Sequence, residues 1–278
     1  MPTQIEARFA HESIRPRIAS RVLNSKEELL SGRYAPEIRA LLEERGVLVF
    51  PEIHFTDEEQ AAFTRTLGTL AKERDGEDVF LVTLDDKKNK TGSEYLKGSL
   101  YWHIDGTMNP VPILASLLAS KKLATWGGNT GFSNTYAAWN DLPEDRKVEL
   151  EGLRVLHAAW ASLFYYDPEP ALEKLKFMRM AGEQELPLVW KHRSGRKSLV
   201  LGATAQHVVG VDAGRSAEIL VGLREWATRD DFTYSHEWKV GDLVMWDNTG
   251  TMHRAEPYDP ACARMLHRTK LQGEEPFV

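Results

Sequence analysis

A mainly β fold with flanking helices, arranged as a sandwich or barrel of the jelly-roll kind, is what this 278-residue sequence predicts. Three observations carry the prediction. Short apolar runs recur between Gly, Pro, Asn and Asp turns along most of the chain. Helical periodicity is confined to a few stretches. A dipeptide-spaced pair, His103 and Asp105, falls among the strand signals, with a third candidate ligand, His253, far downstream.

Two helices are expected near the start. Ser25-Lys26-Glu27-Glu28 and Thr56-Asp57-Glu58-Glu59 both have capping-box form, each followed by apolar residues at helical spacing. Between them Val47 to Phe50 reads as a short buried strand ended by Pro51. From Lys72 to Ser99 the chain is charged and turn-rich, with one strand at Val79–Val82 and a solvated tip over Asp85–Gly92. This stretch reads as an exposed hairpin and linker, or as a mobile segment at 72–99 over the site that follows it. Strand signals then recur at Ile113–Ser120, Gly131–Asn134, Leu153–Ala158, Leu188–Lys191, Ser198–Leu201, Asp242–Trp246 and Met265–Lys270. Helices are expected over Thr135–Leu150 and Ala217–Ala227. The segment 159–187 carries Trp160, Phe164, Tyr165 and Tyr166, and reads as an insertion packed outside the barrel or as an aromatic lid over a substrate mouth.

Bulk properties narrow the function. Apolar residues make up 42% and charged residues 27%, an ordinary globular balance for one domain spanning 1–278. A net charge of −6 offers no electrostatic footprint for nucleic acid. Cys262 is the only cysteine, which excludes an internal disulfide and a thiolate zinc cage and fits a reducing cytosol. The segment Met1–Ser20 has no apolar core of a signal peptide, and no run approaches the ~20 apolar residues that span a bilayer. A cytoplasmic protein acting on a small molecule, without nucleic-acid or membrane partners, is expected.

A lone His-x-Asp is a weak signal, and context has to raise it. Residues two apart on a strand share a face, so His103 and Asp105 can both turn to one ion, whereas a helix would separate them. His253 follows the strand signal Leu243–Trp246 and the turn Asp247-Asn248-Thr249-Gly250, which can return a third ligand to the same mouth. Two imidazoles and a carboxylate suit ferrous iron with open positions; zinc fits the same three ligands. Arg264 and Arg268 lie four apart, on one face of an extended chain. An arginine inside a barrel needs an anion, either a structural Asp or Glu or a bound carboxylate.

These elements together resemble the taurine/2-oxoglutarate dioxygenase family, which includes taurine dioxygenase and the aryloxyalkanoate dioxygenases. The resemblance rests on His103-x-Asp105, Gly127-Gly128-Asn129-Thr130, Trp246-Asp247-Asn248, His253 and the run Arg264–Arg268, in order over roughly Gly46–Pro276. It implies a double-stranded β-helix, Fe(II), and 2-oxoglutarate and O2 as cosubstrates, with oxidation, most often hydroxylation, of a substrate C–H and release of succinate and CO2. By the same resemblance His103, Asp105 and His253 are the iron ligands, and Thr130 and Arg264 hold the distal carboxylate of 2-oxoglutarate. Arg268 lies near the cosubstrate or an acidic substrate, and Trp246 and Asn248 are structural supports. A homo-oligomer, dimer or tetramer, is also implied.

The chain departs from the sulfonate-binding branch after the second helix. Members of that branch carry a histidine and a tyrosine there; Leu70–Glu77 has neither. Taurine is therefore not the expected substrate, and the aromatic residues of 159–187 point to an apolar or aromatic acid. Two other readings stay open on residues alone: a β-barrel binding protein without turnover, and a metal-dependent hydrolase using the same His/Asp/His site. His157 and His207 read as core or rim residues, and His267, alternating with Arg268, is expected to face away from it and not to act as a ligand.

Overall fold

In a computed structural model, residues 8–73, 76–85, 96–259 and 262–278 are described. Their architecture follows from two layers of short strands with helices on the outside. The larger sheet has seven strands in the order β1 (His11–Ser13), β2 (Ser20–Val22), β3 (Val47–Phe50), β13 (Leu243–Asp247), β5 (Ala115–Lys122), β15 (Met265–Leu271) and β4 (Phe80–Val82). All its pairings are antiparallel except β2 with β3. The facing layer is made of smaller antiparallel sheets. One joins β12 (Thr233–His236), β6 (Thr130–Asn134) and β14 (Thr251–Ala255). Another joins β11 (Ala205–Val208), β7 (Arg154–Ala158) and β8 (Glu183–Pro187). The third is the hairpin of β9 (Val189–Lys191) and β10 (Lys197–Leu199).

Alternation along the strands sorts the core into layers. Val47, Val49, Val244 and Trp246 turn inward with Leu118, Phe132 and Leu266 to fill the space between the sheets. Leu48, Phe50, Leu243 and Met245 turn outward, beneath Ile38, Leu41, Leu42, Phe63 and Leu67 of the helices Ala35–Arg45 and Asp57–Leu67. A strand buried on both faces reads as a continuous apolar run, which is why Val-Leu-Val-Phe carries no polar alternation. A third cluster joins Trp139, Trp190, Leu199, Val208, Ile219, Leu223 and Phe232 under the helix Ala213–Ala227.

Most expected elements are present, and the differences have local causes. Both capping boxes form, at Ser25 and Thr56. The helix expected over Thr135–Leu150 is two helices, Thr135–Asn140 and Glu144–Leu150, because Pro143 cannot sit in a continuous helix interior. The last helix starts at Ala213 rather than Ala217, where the Asp212 side chain accepts from the backbone N–H of Arg215. The segment 159–187 begins as helical turns, through Ala159–Ser162, Leu163–Tyr166 and Leu172–Arg179, but its end, Glu183–Pro187, is β8, paired with β7. The tip expected over Asp85–Gly92 lies, apart from Asp85, outside the described residues.

Candidate active site

The site is assembled where the two layers meet. β13 ends at Asp247, whose Oδ1 accepts from the Thr249 backbone N–H at 2.8 Å and from the Thr249 hydroxyl at 2.6 Å. This Asx-type turn sends the chain back as β14, which carries His253. His103 lies opposite it in an isolated antiparallel bridge, with backbone hydrogen bonds of 3.0 and 2.9 Å in the two directions. The two imidazoles are thereby held with ring centroids 4.1 Å apart. Asp105 completes the group: its Oδ1 lies 3.7 Å from His103 Nε2, and its Oδ2 lies 3.7 Å from His253 Nε2.

Those separations decide what the cluster can do. At 3.7 Å the groups are too far apart to hydrogen-bond to one another, yet all three donor atoms converge within 4.8 Å. His103 Nδ1 is 2.8 Å from the Tyr101 carbonyl, an acceptor only, so Nδ1 carries the proton and the Nε2 lone pair faces Asp105. Burial disfavours the charged form of Asp105, but the surrounding groups, with Arg268 as the permanent cation and Ser116 as the hydrogen-bond donor, outweigh it and hold the carboxyl down at about 2. Burial is the main cause that lowers His253 to about 3, so it stays a neutral donor. One carboxylate and two imidazole lone pairs, converging without hydrogen bonds among them, fit a divalent cation.

Asp105 is oriented by a chain of hydrogen bonds. Trp246 Nε1–H donates to Asn248 Oδ1 at 2.9 Å, Asn248 Nδ2–H donates to Ser116 Oγ at 3.1 Å, and Ser116 donates to Asp105 Oδ2 at 3.2 Å. Trp246 and Asn248, expected as supports, thus act on Asp105 through Ser116 of β5. Sequence reasoning missed Ser116, because a serine in an apolar strand carries no signal of its own.

The arginines occupy different places. Arg264 is buried, donates to the Gly128 carbonyl at 2.8 Å and lies 4.7 Å over the Tyr258 ring. Burial works against its charge, and among the described residues no carboxylate pairs with it. Gly128 makes the fit possible: its φ of +81° favours glycine, and a Cβ there would stand 3.0 Å from Arg264 Nε. Two residues on, the buried Thr130 hydroxyl accepts from Trp238 Nε1–H at 3.0 Å, which leaves its own proton to donate. Arg268 instead lies beside the triad, 3.8 Å from Asp105 Oδ2 and 5.0 Å over the Phe80 ring, and its other terminal nitrogen is 3.5 Å from Glu73 Oε1. Glu73, held also by Lys270 at 2.9 Å, comes from the stretch that lacks the sulfonate branch's histidine and tyrosine.

Three further histidines, His157, His207 and His267, lie away from the triad. His267 turns away and meets Asp57 at 2.7 Å. His157 is fully buried and 2.9 Å from Thr204 Oγ1, while His207 is half-buried on β11.

A largely buried carboxylate-and-two-imidazole cluster between the layers of a jelly roll, in a chain that also buries an arginine with no carboxylate partner among the described residues, fits a mononuclear non-haem metal oxygenase scaffold. The chain belongs to the family described as taurine catabolism dioxygenase TauD, TfdA, whose profile matches residues 10–270. It is 34% identical to the alpha-ketoglutarate-dependent 2,4-dichlorophenoxyacetate dioxygenase of Cupriavidus pinatubonensis, over 87% of this chain and 89% of that protein. It is 31% identical to the (S)-phenoxypropionate/alpha-ketoglutarate-dioxygenase of Sphingobium herbicidovorans, over 86% of each chain. Among solved structures, AAD-2 in complex with Mn(II) and N-oxalylglycine superposes with a TM-score of 0.84 at 30% identity, covering 98% of this chain and all of that one. The protein is a non-haem iron dioxygenase that uses Fe(II), 2-oxoglutarate and O2 on a small molecule, with a double-stranded β-helix core. The binding-protein and hydrolase readings give way to it. No helix among the described residues is long and apolar enough to cross a membrane.

Proposed function

We propose that His103 and His253, through Nε2, and Asp105, through its carboxylate, hold the iron, and that the enzyme oxidises a C–H of a small aromatic acid. The observation that carries this reading is the convergence of the three donor atoms within 4.8 Å, in a chain whose buried Arg264 has no acidic partner among the described residues. Arg264 and Thr130 bind the distal carboxylate of 2-oxoglutarate. The guanidinium supplies charge-assisted donors, and the hydroxyl supplies one more. Arg268, between Asp105 and Glu73, orients groups on the iron side of the pocket. Iron with 2-oxoglutarate and O2, when bound, supplies the oxidising chemistry that couples decarboxylation to substrate oxidation.

The aromatic stretch 159–187 serves as a lid. Within it Trp160 packs edge-on against Phe164, with ring centroids 6.1 Å apart. Glu73 and β4, the described parts of the segment 72–99 that meet β15, form the other rim, and the whole of 1–278 works as one domain. An aromatic acid as substrate is supported by these rings and by relatives that act on phenoxy acids. Exposed Leu172, Phe177 and Met180 favour a homo-oligomer, dimer or tetramer, and the lone unpaired Cys262 favours the cytoplasm.

The test is a screen of aryloxy acids, alkyl sulfates, sulfonates and apolar ring compounds, read as substrate-dependent succinate release. Aryloxy acids should couple and taurine should not. Succinate release driven by taurine alone would overturn the substrate assignment, and full activity in Asp105→Ala would overturn the ligand assignment.

A further inference from the structure

The bridge joining the two histidines has a second face. Successive side chains of extended chains alternate sides, so Trp102 and Arg254, which flank the paired His103 and His253, meet behind the triad. The Arg254 guanidinium lies 4.6 Å over the Trp102 ring. Gly131 of β6 pairs with Arg254, and a Cβ there would come within 3.1 Å of the Trp102 indole. A residue without a side chain is what admits this stack.

Trp102 and Arg254 form one wall of a cleft of about 170 Å³, closed by Tyr101, Tyr165, Ala203 and Arg224. None of the three triad residues lines it. Arg224 reaches across from the helix Ala213–Ala227 to within 3.4 Å of the Tyr165 hydroxyl. Among the described residues neither Arg224 nor Arg254 has a carboxylate partner, and the buried Arg254 Nε–H has no hydrogen-bond acceptor. The contrast on the same helix is sharp, since Arg215 pairs with both Glu149 and Glu218.

We propose that this cleft, lined by none of the triad residues, is a second binding site, for a single-ring organic carboxylate. Arg254 and Arg224 bind the carboxylate, and Tyr101, Tyr165 and Trp102 enclose the ring. The volume is below the roughly 300 Å³ at which pockets for larger ligands begin, which limits the occupant to one ring. An occupant would tie Tyr165 and Arg224 to β14, the strand that carries His253. The site does not depend on which ion the triad holds.

Calorimetric titration of benzoate into the anaerobic iron- and 2-oxoglutarate-loaded enzyme tests it. Wild type should bind benzoate, and Arg254→Gln and Arg224→Gln should each weaken binding roughly tenfold or more, the scale of a lost charge-assisted hydrogen bond. Arg268→Gln should leave it unchanged, and inorganic sulfate should compete poorly. Arg224 lies on a half-exposed helix face, so its variant keeps the test open if Arg254→Gln disturbs folding. No binding, binding insensitive to both substitutions, loss of binding in Arg268→Gln, or equal displacement by sulfate would each overturn the proposal.

Discussion

Ser116 and Arg264 act on the site in different ways, and single substitutions separate them. Ser116 stands between Asn248 and Asp105, so Ser116→Ala removes one hydrogen bond from the carboxylate and leaves Asn248 Nδ2–H without its acceptor. Partners of this kind are worth about 10- to 100-fold in metal affinity. Titration of the metal-free variant should show Fe(II) affinity falling by about tenfold with little change in the 2-oxoglutarate requirement; an unchanged affinity would detach Ser116 from the metal site. Arg264→Gln should do the reverse. Losing a charge-assisted pair costs about 1.5–3 kcal/mol, which corresponds to a rise of about 10- to 150-fold in the apparent KM for 2-oxoglutarate. His157 makes a third case, in stability. Burial lowers it to about 4 from its ordinary 6.5. The unfolded chain takes up that proton below about 6.5 while the folded chain does not, so stability present above 6.5 is lost as pH falls towards 4. The slope from this residue is at most about 1.4 kcal/mol per pH unit. Denaturant melts between pH 7 and 4.5 should be flatter for His157→Gln than for wild type.

Elements were legible in the sequence where local signals and tertiary demands agree. The capping boxes at Ser25 and Thr56, and the two-sided apolar run Val47–Phe50, needed no context to read. β12 and β14 escaped because Thr-Tyr-Ser-His and Thr-Met-His-Arg-Ala contain too few apolar residues for a period-two signal, and their pairing with β6 decides them. Of the site, the metal-ligand candidates and arginines were legible as residue types. The placement of Arg268 against Glu73 was not, because it depends on β15 lying beside β4 and the stretch before it. The loop Gly127–Thr130 was legible only through family resemblance, and its role is now a matter of space. Gly128→Ala would force a Cβ into a left-handed conformation, costing about 1–2 kcal/mol, and against Arg264. It should raise the 2-oxoglutarate KM several-fold while leaving Fe(II) affinity intact. Equal KM values for variant and wild type would show that the loop does not set the arginine.

At the scale of the whole molecule the candidate metal centre is a junction. Arg268 and Ser116 belong to the seven-stranded sheet, His253 to the facing layer, and His103 and Asp105 to the connection that enters β5. The Asp105 oxygens stand 3.7 Å from each histidine Nε2, with no hydrogen bond between them, so the layers meet here through a gap that carries a largely buried charge. A cation bound there joins the layers and neutralises Asp105, and it binds the folded chain far better than the unfolded one. At a concentration of 100 times its Kd such a ligand adds about 2.7 kcal/mol. For a chain of this size that corresponds to a rise in Tm of about 5–10 °C. Thermal melts with and without Fe(II) or Mn(II) under anaerobic conditions should show that rise, and chelation should reverse it. Asp105→Asn removes the charge but nearly keeps the shape, so it should abolish the metal-dependent shift while leaving the metal-free melt close to wild type. A shift of full size in that variant would place the stabilising ion elsewhere in the molecule, and the layers would then owe their junction to the backbone bridge between His103 and His253 alone.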